Sequence, residues 1–167
     1  MIYDPLKCAV FFKTREKYGE LSNMRNGLPL EWEDRVIYSS EALYQAHKFY
    51  PESGPFKEVI SQKNSMISKM MAKEYRFEMR NDWAEIKLDV MNYCLRLKYY
   101  QHRELLDLVL DETLDLPIVE KSRKDRLWGA VNNYDGRLEG ENILGNLWMI
   151  IRDERPSVSL PLCISSQ

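Results

Sequence analysis

The sequence predicts an α+β fold, mainly helical with a few short strands, in a single compact domain over residues 1–155 with a tail over 156–167. Three observations predict it. Short apolar runs bounded by glycine, proline and polar residues fill the first 39 positions. From Ser39 onward apolar residues recur at helical spacing. No repeat, low-complexity tract or shift in composition divides the 167 residues, a length that suits one domain with its own core.

Each element has its own signal. Ala9-Val10-Phe11-Phe12 reads as a buried strand, and Gly27 and Pro29 punctuate a turn before a second strand at Arg35-Val36-Ile37-Tyr38. Ser39 or Ser40 caps a helix that reaches Tyr50, ahead of Pro51. After Gly54 and Pro55, residues 56–77 resume helical spacing, with Val59/Ile60, Met66/Ile67 and Met70/Met71 as one apolar stripe and the methionines as core filler. Asp82, with Glu85 three residues on, opens a helix carrying Ile86, Val90, Cys94 and Leu97. A short helix covers Leu105–Leu110, and Asp115–Glu120 reads as extended. Residues 129–142 hold three glycines and read as loop; Asn142 then caps a last helix that turns Leu144, Leu147, Trp148 and Ile151 inward.

Composition excludes several functions. Hydrophobic residues make up 44% and charged residues 30%, the balance of a globular protein. A net charge of −2 excludes nucleic-acid binding by bulk charge and leaves room for a local basic groove. No apolar run approaches the ~20 residues that span a bilayer, and the N-terminus lacks the order of a signal peptide, so no membrane partner is expected. The three cysteines, Cys8, Cys94 and Cys163, are odd in number and far apart, which points to reduced thiols and a cytoplasmic setting. Two histidines, His47 and His102, without a cysteine pair do not make a zinc site. No Gly-x-Ser-x-Gly elbow and no Gly-Lys-Ser/Thr loop occurs. The chemistry therefore falls to carboxylates, lysines and aromatics, with no metal and no cofactor expected.

Two clusters could carry that chemistry. On the helix from Ser40, Glu41, Gln45 and Lys48 stack at i, i+4 and i+7, a polar stripe roughly 60° wide on an otherwise apolar helix. The stripe is either a solvated face or the lining of a cleft, in which a desolvated Lys48 loses its proton and becomes a nucleophile. The second cluster is Ile118–Gly129, where Glu120 and Asp125 flank Ser122 and precede Trp128-Gly129. It is either a charged surface loop or a pair of carboxylates in different environments, as acid–base work on a glycosidic bond requires. Trp83 and Trp128 either pack in the core or stack on a base or sugar. Lys57, Lys63, Lys69, Lys73 and Arg76 read as a solvated helix face with an unspecific capacity for phosphate, and His47 as a packed core histidine.

The segments are more specific in combination. Tyr18-Gly19-Glu20-Leu21-Ser22-Asn23, Ser40-Glu41-Ala42-Leu43-Tyr44-Gln45-Ala46-His47-Lys48-Phe49, Arg80-Asn81-Asp82-Trp83, Val119-Glu120-x-Ser122 with Asp125 and Trp128-Gly129, Gly140-x-Asn142-x-Leu144-Gly145 and Ile151-Arg152 follow in order. This order resembles the NADAR superfamily, from about residue 10 to 153. Its members include an N-glycosidase acting on riboflavin-biosynthesis intermediates and enzymes that remove ADP-ribose from guanine bases. The resemblance implies a hydrolase cleaving an N-glycosidic bond between ribose and a base nitrogen. Lys48 is then the expected nucleophile, oriented by Glu41, with Glu120 or Asp125 handling protons. Asn23, Gln45, Trp83, Trp128, Gly129, Asn142 and Gly145 are expected at the substrate, which is a ribosyl nucleotide or an ADP-ribosylated base, free or within nucleic acid. The same groups would equally serve a module that binds ADP-ribose or a nucleotide without hydrolysing it, and a likeness of fold alone would leave an interaction protein. The chain departs from the family in two places: Ala130–Glu139 lengthens the link after Trp-Gly, and Leu43 stands where an aromatic is common, with Tyr44 retained.

Overall fold

The computed structural model describes residues 1–155, so the expected tail and Cys163 lie outside the described residues. The elements in chain order are β1 (Ile2–Tyr3), β2 (Ala9–Phe11), β3 (Leu30–Trp32), β4 (Arg35–Ile37), α1 (Ser40–Ala46), α2 (Gly54–Ile60), α3 (Ser65–Glu74), α4 (Trp83–Gln101), α5 (Arg103–Asp111), β5 (Ile118–Ser122), β6 (Ala130–Asn132), β7 (Leu138–Glu139) and α6 (Ile143–Glu154). The fold is α+β, as expected. The chain folds as two compact units, one of Met1–Ser22 with residues 103–155 and the other of Asn23–His102. Among the described residues no helix is long and apolar enough to cross a membrane.

The first unit is built on a five-stranded sheet of order β1-β7-β6-β5-β2. Strand β5 runs parallel to both β2 and β6, while β7 is antiparallel to β6 and to β1. Val119, Ala130 and Leu138 form its apolar centre with Tyr3, Cys8 and Val10 packed on them. Helix α6 lies on β5 and buries Leu144, Trp148 and Ile151. The Trp148 indole N–H donates to the Leu21 carbonyl at 2.8 Å, so this large side chain enters the core with its polar atom satisfied. Residues 129–142, expected as loop, contain strands β6 and β7, joined by a tight turn in which Gly136 takes φ 76 and Asn133 Oδ1 accepts two backbone N–H groups.

In the second unit α1 is the centre, with all seven of its residues buried, and α2, α3 and α4 pack around it. Ser39 caps it through Ala42 N at 3.2 Å. The expected helix to Tyr50 stops at Ala46 because Lys48 N and Phe49 N turn to the carbonyls three residues back, a tightened last turn. The stretch 56–77 is two helices, since Asn64 accepts from Met66 N and Ile67 N and starts α3 afresh. The single methionine stripe is therefore corrected. Ser65, Ser68 and Ala72 face inward on α3, allowing close approach to α1, while Met66, Ile67 and Met70 are exposed.

Candidate functional site

Glu41 is the organising group of the second unit. It is 5% exposed, and its two carboxylate oxygens accept from Asn23 Nδ2 at 2.7 Å and Gln45 Nε2 at 2.8 Å. Its backbone N–H also donates to the Asn23 carbonyl at 3.2 Å. The stripe is thus a buried polar cluster and not a solvated face. Placing both amide N–H₂ groups on the carboxylate turns their carbonyls away, and Asn23 Oδ1 and Gln45 Oε1 are left buried without a partner. Unpaired buried acceptors are costly in a native fold and mark where a hydrogen-bond donor would be welcome.

Lys48 follows the helix in the turn after its cap, half-buried. Its carbonyl accepts from Arg80 N at 2.8 Å. Arg80 is itself locked by two charge-assisted bonds to Asp82, at 2.6 and 2.8 Å. The expected Asp82 cap is therefore replaced by this pair, and the Arg-Asn-Asp-Trp segment instead pins the lysine turn and starts α4 at Trp83. The Lys48 amine lies 5.8 Å from the Tyr44 ring centre and 5.9 Å from that of Trp83, which pack on each other. Burial pushes the Lys48 amine below the ordinary lysine range; the Glu41 carboxylate opposes this and the Lys69 ammonium adds to it. Lys69 reaches Glu41 at 4.0 Å. Together Gln45, Lys48 and the α3 side chains line a cleft of about 330 Å³.

Trp83 is 8% exposed, so most of its ring is packing surface. His47 is a core residue, as expected: its Nδ1 is 2.8 Å from the Leu43 carbonyl, and Trp32 and Phe56 flank its ring at 5.3 and 5.7 Å. Burial lowers its pKa, with the Arg80 charge in the same direction and the Leu43 carbonyl opposing.

The other expected residues belong to the first unit. The β5–β6 ladder begins at Lys121, so the Ile118 carbonyl and the Glu120 N–H precede it. Asn142 fills that gap: its Nδ2 donates to Ile118 O at 2.8 Å and its Oδ1 accepts from Glu120 N at 2.9 Å. The expected cap is therefore corrected. Asn142 stands at the N-cap position with φ 52 and no side-chain cap bond, and the N–H groups of Ile143 and Leu144 go to the Leu127 and Trp128 carbonyls. Gly145 admits the arrangement, since a Cβ there would lie 2.6 Å from both amide atoms of Asn142. At Gly129 a Cβ would meet the Glu120 carbonyl at 2.6 Å and Glu120 Oε2 at 3.2 Å, so this glycine makes room for the half-buried Glu120. The loop from Ser122 to Trp128 is self-bonded. Ser122 Oγ accepts from Lys124 N and Asp125 N, and Asp125 Oδ1 from Leu127 N and Trp128 N, both at 2.9 Å. Asp125 is exposed and Trp128 half-buried.

The sequence assigns Arg80 no role beyond its place in the Arg-Asn-Asp-Trp segment, and reads Lys69 only as part of a solvated face with an unspecific capacity for phosphate. Among the described residues no three His, Cys, Asp or Glu side chains gather as metal ligands.

The family model for the NADAR domain matches residues 10–154. The chain is 32% identical over 145 residues to the N-glycosidase YbiA of Escherichia coli, covering 86% of each. It is 34% identical to a riboflavin biosynthesis protein of Vibrio vulnificus, over 86% of this chain and 37% of that one. The solution structure of E. coli YbiA superposes with a TM-score of 0.73 at 28% identity, covering 90% of this chain and 86% of that one.

Proposed function

The chain belongs to the NADAR family, and from that premise we propose that it is an N-glycosidase, hydrolysing the bond between a ribose C1′ and a base nitrogen, with the activity carried by residues 1–155. The observation that carries this reading is the Lys48 amine, half-buried behind two aromatic rings and held below its ordinary pKa by burial, next to the buried Glu41 carboxylate. A neutral amine is a nucleophile and an ammonium is not. The Lys48 lone pair forms an N–C1′ bond as the C1′–base bond breaks, and the base departs with that electron pair and a proton. The C1′–O4′ bond then opens to give an imine. One water adds to the imine carbon, and the lysine leaves with its proton restored.

Asn23 and Gln45 offer carbonyl oxygens to sugar hydroxyls, and Trp83 or Trp128 an aromatic face to base or ribose. Glu120 or Asp125 handles the proton that reaches the base, with Gly129, Gly145 and Asn142 holding the Glu120 segment. The substrate is a ribosyl nucleotide, such as a riboflavin-pathway intermediate, or an ADP-ribosylated guanine, free or within nucleic acid. The name of the Vibrio relative supports the first.

Borohydride added during turnover reduces the imine, and the expected product is a sugar adduct on Lys48 seen by mass spectrometry. Lys48→Ala should abolish it, and Glu120→Gln or Asp125→Asn should slow base release by ~10²–10⁴ for a proton-transfer role. Absence of adduct with normal turnover in Lys48→Ala ends the nucleophile assignment. Tight substrate binding with no base released identifies a binding module instead.

A further inference from the structure

The cleft beside Lys48 has an unusual lining. Its polar groups are Gln45, Lys48, Lys69, Lys73 and Arg76 over an Ala72 floor, so three cations besides the Lys48 amine, and no carboxylate, face it. This occurs in a chain whose net charge is −2. Elsewhere in the same unit several cations are paired: Arg35 and Lys57 share Glu52 at 2.5 and 3.4 Å, and Arg80 holds Asp82. Lys69 reaches only Glu41, at 4.0 Å, and that carboxylate already accepts two amides. Lys73 and Arg76 make no ion pair among the described residues.

The cations are ordered along the cleft. Lys69 and Lys73 stand one turn apart on α3, about 6 Å along the axis. Arg76 follows in the next turn, its guanidinium 4.3 Å over the exposed Phe77 ring, which fixes its plane. Independently, Gln45 lines the cleft with its Oε1 unpartnered although the residue is 3% exposed. An acceptor wanting a hydroxyl and a row of cations wanting an anion describe two ends of one ligand, a sugar bearing phosphate.

We infer that this cleft is the phosphate subsite, with Lys73 and Arg76 setting a preference for phosphorylated over unphosphorylated N-ribosides. The inference rests on the N-glycosidase reading for its substrate, and on the cleft alone for its anion. Lys69 lies nearest the amine and bridges the two functions. Lys73 and Arg76 lie further along the same lining and act on affinity.

The test uses inorganic pyrophosphate as the probe, titrated calorimetrically into the full chain at physiological ionic strength. The wild type should bind it, Lys73→Gln and Arg76→Gln should each weaken binding roughly 10-fold or more, and added salt should weaken it further. Lys57→Gln, a surface cation on α2, should bind as the wild type does. Absence of pyrophosphate binding by the wild type, or an equal loss in Lys57→Gln, overturns the subsite. Thermal unfolding of each variant guards against misfolding, which exposed side chains should not cause. A second measurement pairs a phosphorylated N-riboside with its phosphatase-treated form: the two variants should raise KM for the first and leave the second unimproved. If base is released but pyrophosphate does not bind, the subsite fails and the N-glycosidase reading stands. If pyrophosphate binds at these residues and no N-riboside is cleaved, the reverse holds.

Discussion

Replacing Asn142 tests whether its amide belongs to the fold of the first unit or to the substrate. The side chain is fully buried and closes two backbone groups of β5, the Ile118 carbonyl and the Glu120 N–H. Alanine leaves both behind, and a buried group left unpaired costs about 1–3 kcal/mol, so the pair costs about 2–6 kcal/mol. The backbone at φ 52 adds about 1–2 kcal/mol for a residue that lacks asparagine's tolerance of the left-handed region. Asn142→Gly loses the same two bonds without that last penalty and should be the milder variant by about 1 kcal/mol. Against a total stability of about 5–15 kcal/mol, either loss is large. Urea unfolding followed by tryptophan fluorescence measures it, with Trp148 reporting the interior of this unit. A loss under about 1 kcal/mol for Asn142→Ala, at an unchanged urea dependence, refutes the reasoning. An intact midpoint with a raised KM in Asn142→Gly would return the amide to the substrate.

The remaining predictions concern charge and space. Lys48 must be neutral to attack, so the rate should rise as pH climbs through its lowered pKa and then level off. Glu41 favours the ammonium, so Glu41→Gln should move that acidic limb to lower pH, whereas Lys69 disfavours it and Lys69→Gln should move the limb to higher pH. Limbs that shift together, or not at all, in a pH–rate comparison exclude Lys48 as the titrating group. Gly129→Ala places a methyl 2.6 Å from the Glu120 carbonyl and should cost about 1–3 kcal/mol while displacing that carboxylate. A variant with wild-type stability and rate would show that Glu120 needs no such room.

Much of the fold was legible because periodicity and punctuation are local. Ser39, Pro51, Gly54 and Asp82 mark ends that the structure keeps to within a few residues. The errors arise where a distant partner outbids a local preference. Asp82 and Asn142 both have the residue type of a helix cap, yet Arg80 claims the first and the unfinished β5 ladder claims the second. The methionines have core-like hydrophobicity, and the small residues between them decide which side of α3 faces inward. At the candidate site, spacing placed Glu41 and Gln45 on one face. It did not reveal that they are buried, or that the lysine leaves the helix before taking its place. Lys69, Lys73 and Arg76 read as a solvated face and are exposed; spacing did not reveal that they line a cleft that holds no carboxylate.

The strand order bears on how the polypeptide matures on the ribosome. Residues 23–102 are contiguous, and every pairing within them is available once that stretch has emerged. Strand β2 pairs through Ala9 with Ile118, and β1 through Ile2 with Glu139. Strands β1 and β2 are therefore synthesised well before their partners. Phe11 stays uncovered until the chain has been made as far as its register partner Glu120, which is the interval in which a chaperone would matter most to this protein.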